Sequence, residues 1–80
     1  MKSEIYIRKL KYDEAKLKLM IELDSLYLKG IKKVYIIHGK GKGILKNMVH
    51  NYLQKQPFVE KFYEAPFFEG GAGVTIAILN

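Results

Sequence analysis

A β-branched run, Val34-Tyr35-Ile36-Ile37, passes through His38-Gly39-Lys40-Gly41-Lys42-Gly43 straight into the helical pattern that starts Ile44-Leu45-Lys46. A strand that turns through three alternating glycines into a helix leaves bare backbone at a helix N-terminus. Unpaired N–H groups and the helix dipole both favour an anion there, and phosphate is the anion to expect. Glycine at every second position permits positive φ and close approach of a ligand. Lys40, Lys42 and Lys46 supply charge, and His38 supplies a titratable ring. The plainer alternative is a glycine turn carrying solvated lysines.

The rest of the chain arranges itself around this turn. Residues 4–8 alternate, with Ile5 and Ile7 on one face and Tyr6 and Arg8 on the other, which predicts a first strand. Arg8 falls at its C-terminal end and His38 at the equivalent end of the next strand, where ligands of α/β sheets gather, so the two can share a site. A solvated strand-end charge is the competing reading of Arg8. Residues 13–29 turn helical, with Ala15, Leu19, Leu23 and Leu26 on one arc widened by Tyr12, Met20 and Tyr27, Asp13 as N-cap and Gly30 just past the end. Leu17, Ile21 and Leu28 form a second apolar line: a contact with another domain or subunit, a surface covered by loops, or scattered surface leucine.

A second helix is predicted over residues 44–56, with Leu45, Met48, Val49, Tyr52 and Leu53 facing the core and Pro57 ending it. His50, one turn from Lys46, reads as a plain surface residue, because no second histidine or carboxylate stands at metal-ligand spacing beside it. Residues 59–64 and 74–79 read as an antiparallel strand pair joined by a long loop. Phe67 and Phe68 in that loop either stack on nucleotide bases or fold back on the core, and folding back is expected of at least one. The order β-α-β-α-β-β predicts an α/β two-layer sandwich, a mixed four-stranded sheet with both helices on one face.

Eighty residues suffice for one core, and no segment approaches the roughly 20 apolar residues of a membrane span. The first residues lack the apolar stretch of a signal peptide, and there is no cysteine for disulfides or thiolate zinc sites, which together predict a cytoplasmic protein. Fourteen Lys plus Arg against eight Asp plus Glu, a net charge of +6, favour a polyanionic partner. Sharper motifs fail: no Ser or Thr follows Lys42 or Lys46 as a Walker A loop requires, and the glycine spacing is not that of a dinucleotide fold. The carboxylates are scattered, so no metal site is predicted.

The run from Val34 to Leu45, taken with Gly70-Gly71-Ala72-Gly73-Val74-Thr75, resembles the Smr (small MutS-related) domain, whose loops read His-Gly-Lys-Gly-Thr-Gly and Gly-Gly-x-Gly-x-Thr. The resemblance extends from Ile5 to Leu79. It implies the same β-α-β-α-β-β sandwich, which is also similar to the C-terminal domain of a bacterial translation initiation factor. It further implies one domain over residues 1–80, excised from the C-terminus of a larger MutS-type ATPase that limits recombination or acts on stalled ribosomes. Smr domains are DNA-nicking or RNA-cleaving endonucleases. By that resemblance His38, Arg8 and Lys40 would be catalytic, and Lys9, Gly39, Gly41, Lys42, Gly43, Lys46, Gly70, Gly71 and Gly73 would hold nucleic acid. The implied partners are DNA, branched DNA included, or RNA on the ribosome, and the rest of the parent ATPase, with no membrane. The resemblance implies no definite cofactor, although a divalent metal is admissible.

Arg8 matches the arginine of the family's Leu-Asp-Leu-Arg-Gly motif, but that motif also marks where this chain departs. The aspartate is Tyr6 here, the glycine is Lys9, and the threonine of the central loop is Lys42. Because the acidic residue is implicated in cleavage, the leading expectation of a nicking endonuclease stands beside a second one, a non-catalytic module that holds DNA or ribosomal RNA. The two added lysines should strengthen backbone contact in either case.

Overall fold

The computed structural model describes residues 2–80. Its elements run β1 (Ser3–Tyr6), α1 (Tyr12–Leu28), β2 (Lys33–Ile37), α2 (Ile44–Gln54), β3 (Val59–Glu64) and β4 (Val74–Leu79), with two short 3₁₀ turns, Phe67–Glu69 and Gly71–Gly73, before β4. The sheet order is β1-β2-β4-β3, with β1 parallel to β2 and β4 antiparallel to both of its neighbours. The expected mixed four-stranded sandwich is therefore present, and β4 is the strand that inserts at its centre.

Alternation along the strands sorts the core into two layers. Ile5 and Ile7, Val34 and Ile36, and Ala77 and Leu79 face the helices and meet Ala15, Leu19 and Leu23 of α1 and Met48, Val49 and Leu53 of α2. Tyr35, Val74 and Ile76 form a smaller cluster on the opposite face. Lys2 and Lys33 place their ammonium groups over the Tyr35 ring, 4.7 and 5.3 Å from its centroid, and the loop between β3 and β4 reaches it through Glu69. The Tyr35 hydroxyl donates to Glu69 Oε2 at 2.7 Å, and Lys2 lies 3.5 Å from the same oxygen. The Tyr35 bond, helped by Lys2, holds the Glu69 carboxyl below its ordinary range.

Several expectations need correction at their edges. β1 stops at Tyr6 rather than at Arg8, because the N–H groups of Ile7 and Arg8 both turn to the Ile37 carbonyl, each at 3.0 Å. Lys9 then reverses the chain at φ +69, a conformation that suits glycine better than lysine. The N-cap of α1 is Lys11, not Asp13; a lysine side chain has nothing to accept with, and only Glu14 reaches back, 3.4 Å from the Lys11 amide. Gly30 does lie in the left-handed region that ends such a helix. α2 gives out at Gln54, two residues early, where the Lys55 and Gln56 amides tighten onto the carbonyls three residues back as Pro57 approaches.

Side-chain expectations fare unevenly. Tyr12 and Met20 widen the apolar arc of α1 little, being 47% and 39% exposed, while Tyr27 stacks on Phe58 with ring centroids 4.4 Å apart. Leu17, Ile21 and Leu28 are exposed, as is the face they share. Neither Phe67 nor Phe68 folds back: they are 92% and 84% exposed. The 3₁₀ turn that carries them is held by backbone bonds from Glu69 and Gly71 to the Pro66 carbonyl, which leaves both rings outside. No helix among the described residues is long and apolar enough to cross a membrane.

Candidate nucleic-acid interface

Two glycine stretches meet at the C-terminal end of β2. The amides of His38 and Gly39 both donate to the Gly73 carbonyl, at 3.1 and 2.9 Å. A Cβ on Gly73 would stand at ordinary van der Waals distance from the Gly39 backbone, 3.5 Å away, which shows how closely the two loops run. The stem of Arg8 crosses Gly39 on the other side, with its Cγ 3.1 Å from where a Cβ on Gly39 would be. This is how Arg8 and His38, far apart in sequence, come to share one site.

Past this junction the chain turns through Gly41 and Gly43, both at positive φ, and enters α2. Gly43 caps α2 without a side chain, and the first turn carries no acidic residue, so the leading N–H groups are left for an outside acceptor. In front of them lies a cavity of about 760 Å³. Arg8, Lys9, Lys40, Lys42 and Lys46 line it together with His38, Gly39, Gly41, Gly43, Gly70 and Gly73, and no carboxylate does. Of the residues expected at the site only Gly71 is outside this lining; its amide goes to the Pro66 carbonyl instead. Lys46 is partly committed, 3.1 Å from Glu64 Oε1. Tyr6, which stands where the resembling family has aspartate, is 57% exposed and does not line the cavity.

Behind the cavity wall is a polar chain that the sequence reading missed. His38 is buried, its Nδ1 2.9 Å from the Gly39 carbonyl and its Nε2 2.8 Å from Thr75 Oγ1. The same hydroxyl is 2.9 Å from Nε2 of His50, so His50 is not the plain surface residue expected of it. Its ring is half-buried and tilted against Phe62 at 5.1 Å. A conspicuous signal was available for Thr75, the last residue of the second motif and one residue past Val74 in a strand otherwise wholly apolar. For His50 only its place on the sheet-facing side of α2 would have served.

Burial pushes both histidines below their ordinary value of 6.5, with Lys46 adding to the effect and Glu64 opposing it. The unfolded chain therefore binds more protons than the folded one once the pH drops below about 6.5, so stability present above that value is lost as acid is added. Thermal melts should show the melting temperature falling from about pH 7 to about pH 5, and falling less in His50→Gln, which lacks one of the two titrating rings. An identical decline in the variant would mean that His50 contributes nothing to it.

The family model for the Smr domain matches residues 5–80. This chain belongs to the Smr domain family. Endonuclease MutS2 of Carboxydothermus hydrogenoformans is 52% identical over 58 residues, covering 72% of the chain and 8% of that protein. Endonuclease MutS2 of Halothermothrix orenii is 46% identical over 70 residues, 88% of the chain and 9% of that protein. This Smr domain thus spans less than a tenth of the length of these relatives. The crystal structure of the Smr domain of Thermus thermophilus MutS2 superposes with a TM-score of 0.93 at 35% identity, over 98% of both chains. YdaL, a stand-alone small MutS-related protein from Escherichia coli, shares the fold with a TM-score of 0.90 at 22% identity, over 98% of this chain and 64% of its own.

Proposed function

We propose that this Smr domain grips the sugar–phosphate backbone of a nucleic acid in the cavity between β2 and α2, as one module of a larger MutS2-type protein. The observation that carries the reading is the lining itself: five cationic side chains around a glycine loop, an uncapped helix N-terminus and no carboxylate. Contacts of this kind hold phosphates without reading bases, so binding is independent of sequence. Phe67 and Phe68 stand exposed on the loop whose Gly70 and Gly73 line the cavity. They offer faces on which unpaired bases stack, which favours branched or single-stranded segments over plain duplex.

Cleavage of the gripped strand is the second part of the proposal, supported by the name endonuclease carried by the relatives and by an acid–base group, His38, set beside Arg8 and Lys40. His38 would act as general acid or base, with Arg8, Lys40 and the loop amides stabilising charge on the phosphate. Both His38 ring nitrogens are engaged inside the protein, so acting on a substrate means exchanging the Gly39 carbonyl for a substrate oxygen. The test is relaxation of supercoiled plasmid, run with and without chelator. His38→Ala and Arg8→Ala should each slow nicking by about a hundredfold or more, and Tyr6→Asp should raise it. Nicking that survives in both alanine variants assigns the cut to another source and leaves the backbone-binding module.

A further inference from the structure

Three hydrogen bonds join Gly39, His38, Thr75 and His50 into one chain, and its polarity follows from the end that is fixed. A carbonyl oxygen can only accept, so the Gly39 bond requires a proton on His38 Nδ1. The neutral ring then has a bare Nε2, and the Thr75 hydroxyl donates to it. Having given away its one hydrogen, Thr75 can only accept from its second neighbour, which puts the proton of His50 on Nε2. In this arrangement no buried side-chain polar atom among the described residues lacks a partner.

A proton added to His38 would turn its bond to Thr75 around and leave the hydroxyl hydrogen without an acceptor unless His50 gave up its Nε2 hydrogen. A proton added to Nδ1 of the less buried His50 reverses nothing. We propose that Thr75 and His50 are positioning residues that hold His38 neutral once the Gly39 carbonyl has set its hydrogen on Nδ1, His50 being the end of the chain that takes up a proton as the pH falls. The charged groups that face the pair are Lys46 on α2 and Glu64 on β3, which are paired with each other and so largely offset.

The arrangement supplies what the cleavage reading lacks, a way for an internally bonded histidine to give up its Nδ1 proton and take another at Nε2, with the reverse relay restoring the resting arrangement after product leaves. As water attacks phosphorus and the P–O bond to the leaving oxygen breaks, Nδ1 of His38 passes its hydrogen to that oxygen, the water's own proton goes to solvent, and the Thr75 hydrogen moves to Nε2. The Nε2 hydrogen of His50 moves to Thr75, and a solvent proton enters at Nδ1 of His50. Protons and charge balance without an imidazolate. This step rests on cleavage; the resting arrangement does not.

Nitrogen-15 NMR of the ring-labelled 80-residue chain, with no nucleic acid present, tests the arrangement apart from any binding or cutting. At neutral pH His38 should show a protonated Nδ1 and a bare Nε2, and His50 the reverse. On acidification His50 should titrate before His38. Thr75→Ser should preserve both patterns, while Thr75→Val, which keeps the shape and removes the hydroxyl, should leave the Gly39 carbonyl holding the hydrogen of His38 on Nδ1 and lose the fixed choice of protonated nitrogen on His50. Protonation of His38 at Nε2 in the neutral protein, titration of His38 ahead of His50, or an unaltered His50 pattern in Thr75→Val would overturn the proposal. If the valine variant does not fold, the wild-type assignments and titration order decide alone.

Discussion

Replacing Lys40 and Lys42 together by glutamate is expected to lower the affinity for any labelled oligonucleotide by about a hundredfold or more at low ionic strength. Each side chain stands exposed at the cavity, and neither has an acidic partner among the described residues, so the change reaches the ligand without undoing an internal contact. A hydrogen bond to a charged group contributes about 1.5–3 kcal/mol, or at least about tenfold in affinity per lysine, before the repulsion added by the glutamates. The loss should be the same on unrelated sequences, since a phosphate contact carries no base information. Circular dichroism and melting should be unchanged; a variant that binds like the wild type would empty the cavity of its assigned role.

Gly70→Ala is expected to be the most destabilising single change in the loop that faces this cavity. Gly70 sits at φ +116, outside what an L side chain adopts readily, and an added Cβ would overlap Val74 Cγ2, part of the buried second face of the sheet. Backbone strain of about 1–3 kcal/mol and overpacking of similar size together suggest a loss of about 2–6 kcal/mol. For a domain of this size the melting temperature should fall by at least about 10 °C. Gly71→Ala is the control: at φ +54 with open space around the new Cβ, it should lose only about 1–2 kcal/mol. Equal melting temperatures in the two variants would refute the packing argument. Gly70 is thus first a requirement of the turn, whatever it also does for a ligand.

These cases show what the sequence can and cannot carry. Element identity was legible because it rests on local periodicity: the alternation of Ile5 and Ile7, the 3.6-residue spacing of Ala15, Leu19 and Leu23, and the glycines that break it. The cavity was legible for the same reason, its loop being one contiguous stretch, and the reach of Arg8 into it followed from both strands ending at one edge of the sheet. The insertion of β4 between β2 and β3 was not, since strand order depends on partners distant in sequence. His50 was misread on the same account. Its spacing on α2 shows no companion, and only the placement of Thr75 in β4, 25 residues on, makes it part of a buried chain. At least one of Phe67 and Phe68 was expected to fold back because both are apolar, but the tight turn at Pro66 decides their direction.

Lys9 shows a local rule overridden. A lysine at φ +69 holds a position that the family's motif gives to glycine, and strain of about 1 kcal/mol is the expected consequence. In return its charge joins the lining of the cavity. The departures at Lys9 and Lys42 both add positive charge at the site, whereas the departure at Tyr6 removes an acid that lies outside its lining.

The most direct measurement is the affinity of the 80-residue chain for two oligonucleotide duplexes of equal length and unrelated sequence, followed by fluorescence anisotropy as salt is raised. With Arg8, Lys9, Lys40 and Lys42 each meeting a phosphate, the logarithm of the affinity should fall linearly with the logarithm of salt at a slope of about −4, and the two sequences should superimpose. A slope near zero, or an affinity that follows the sequence rather than the salt, would contradict the account.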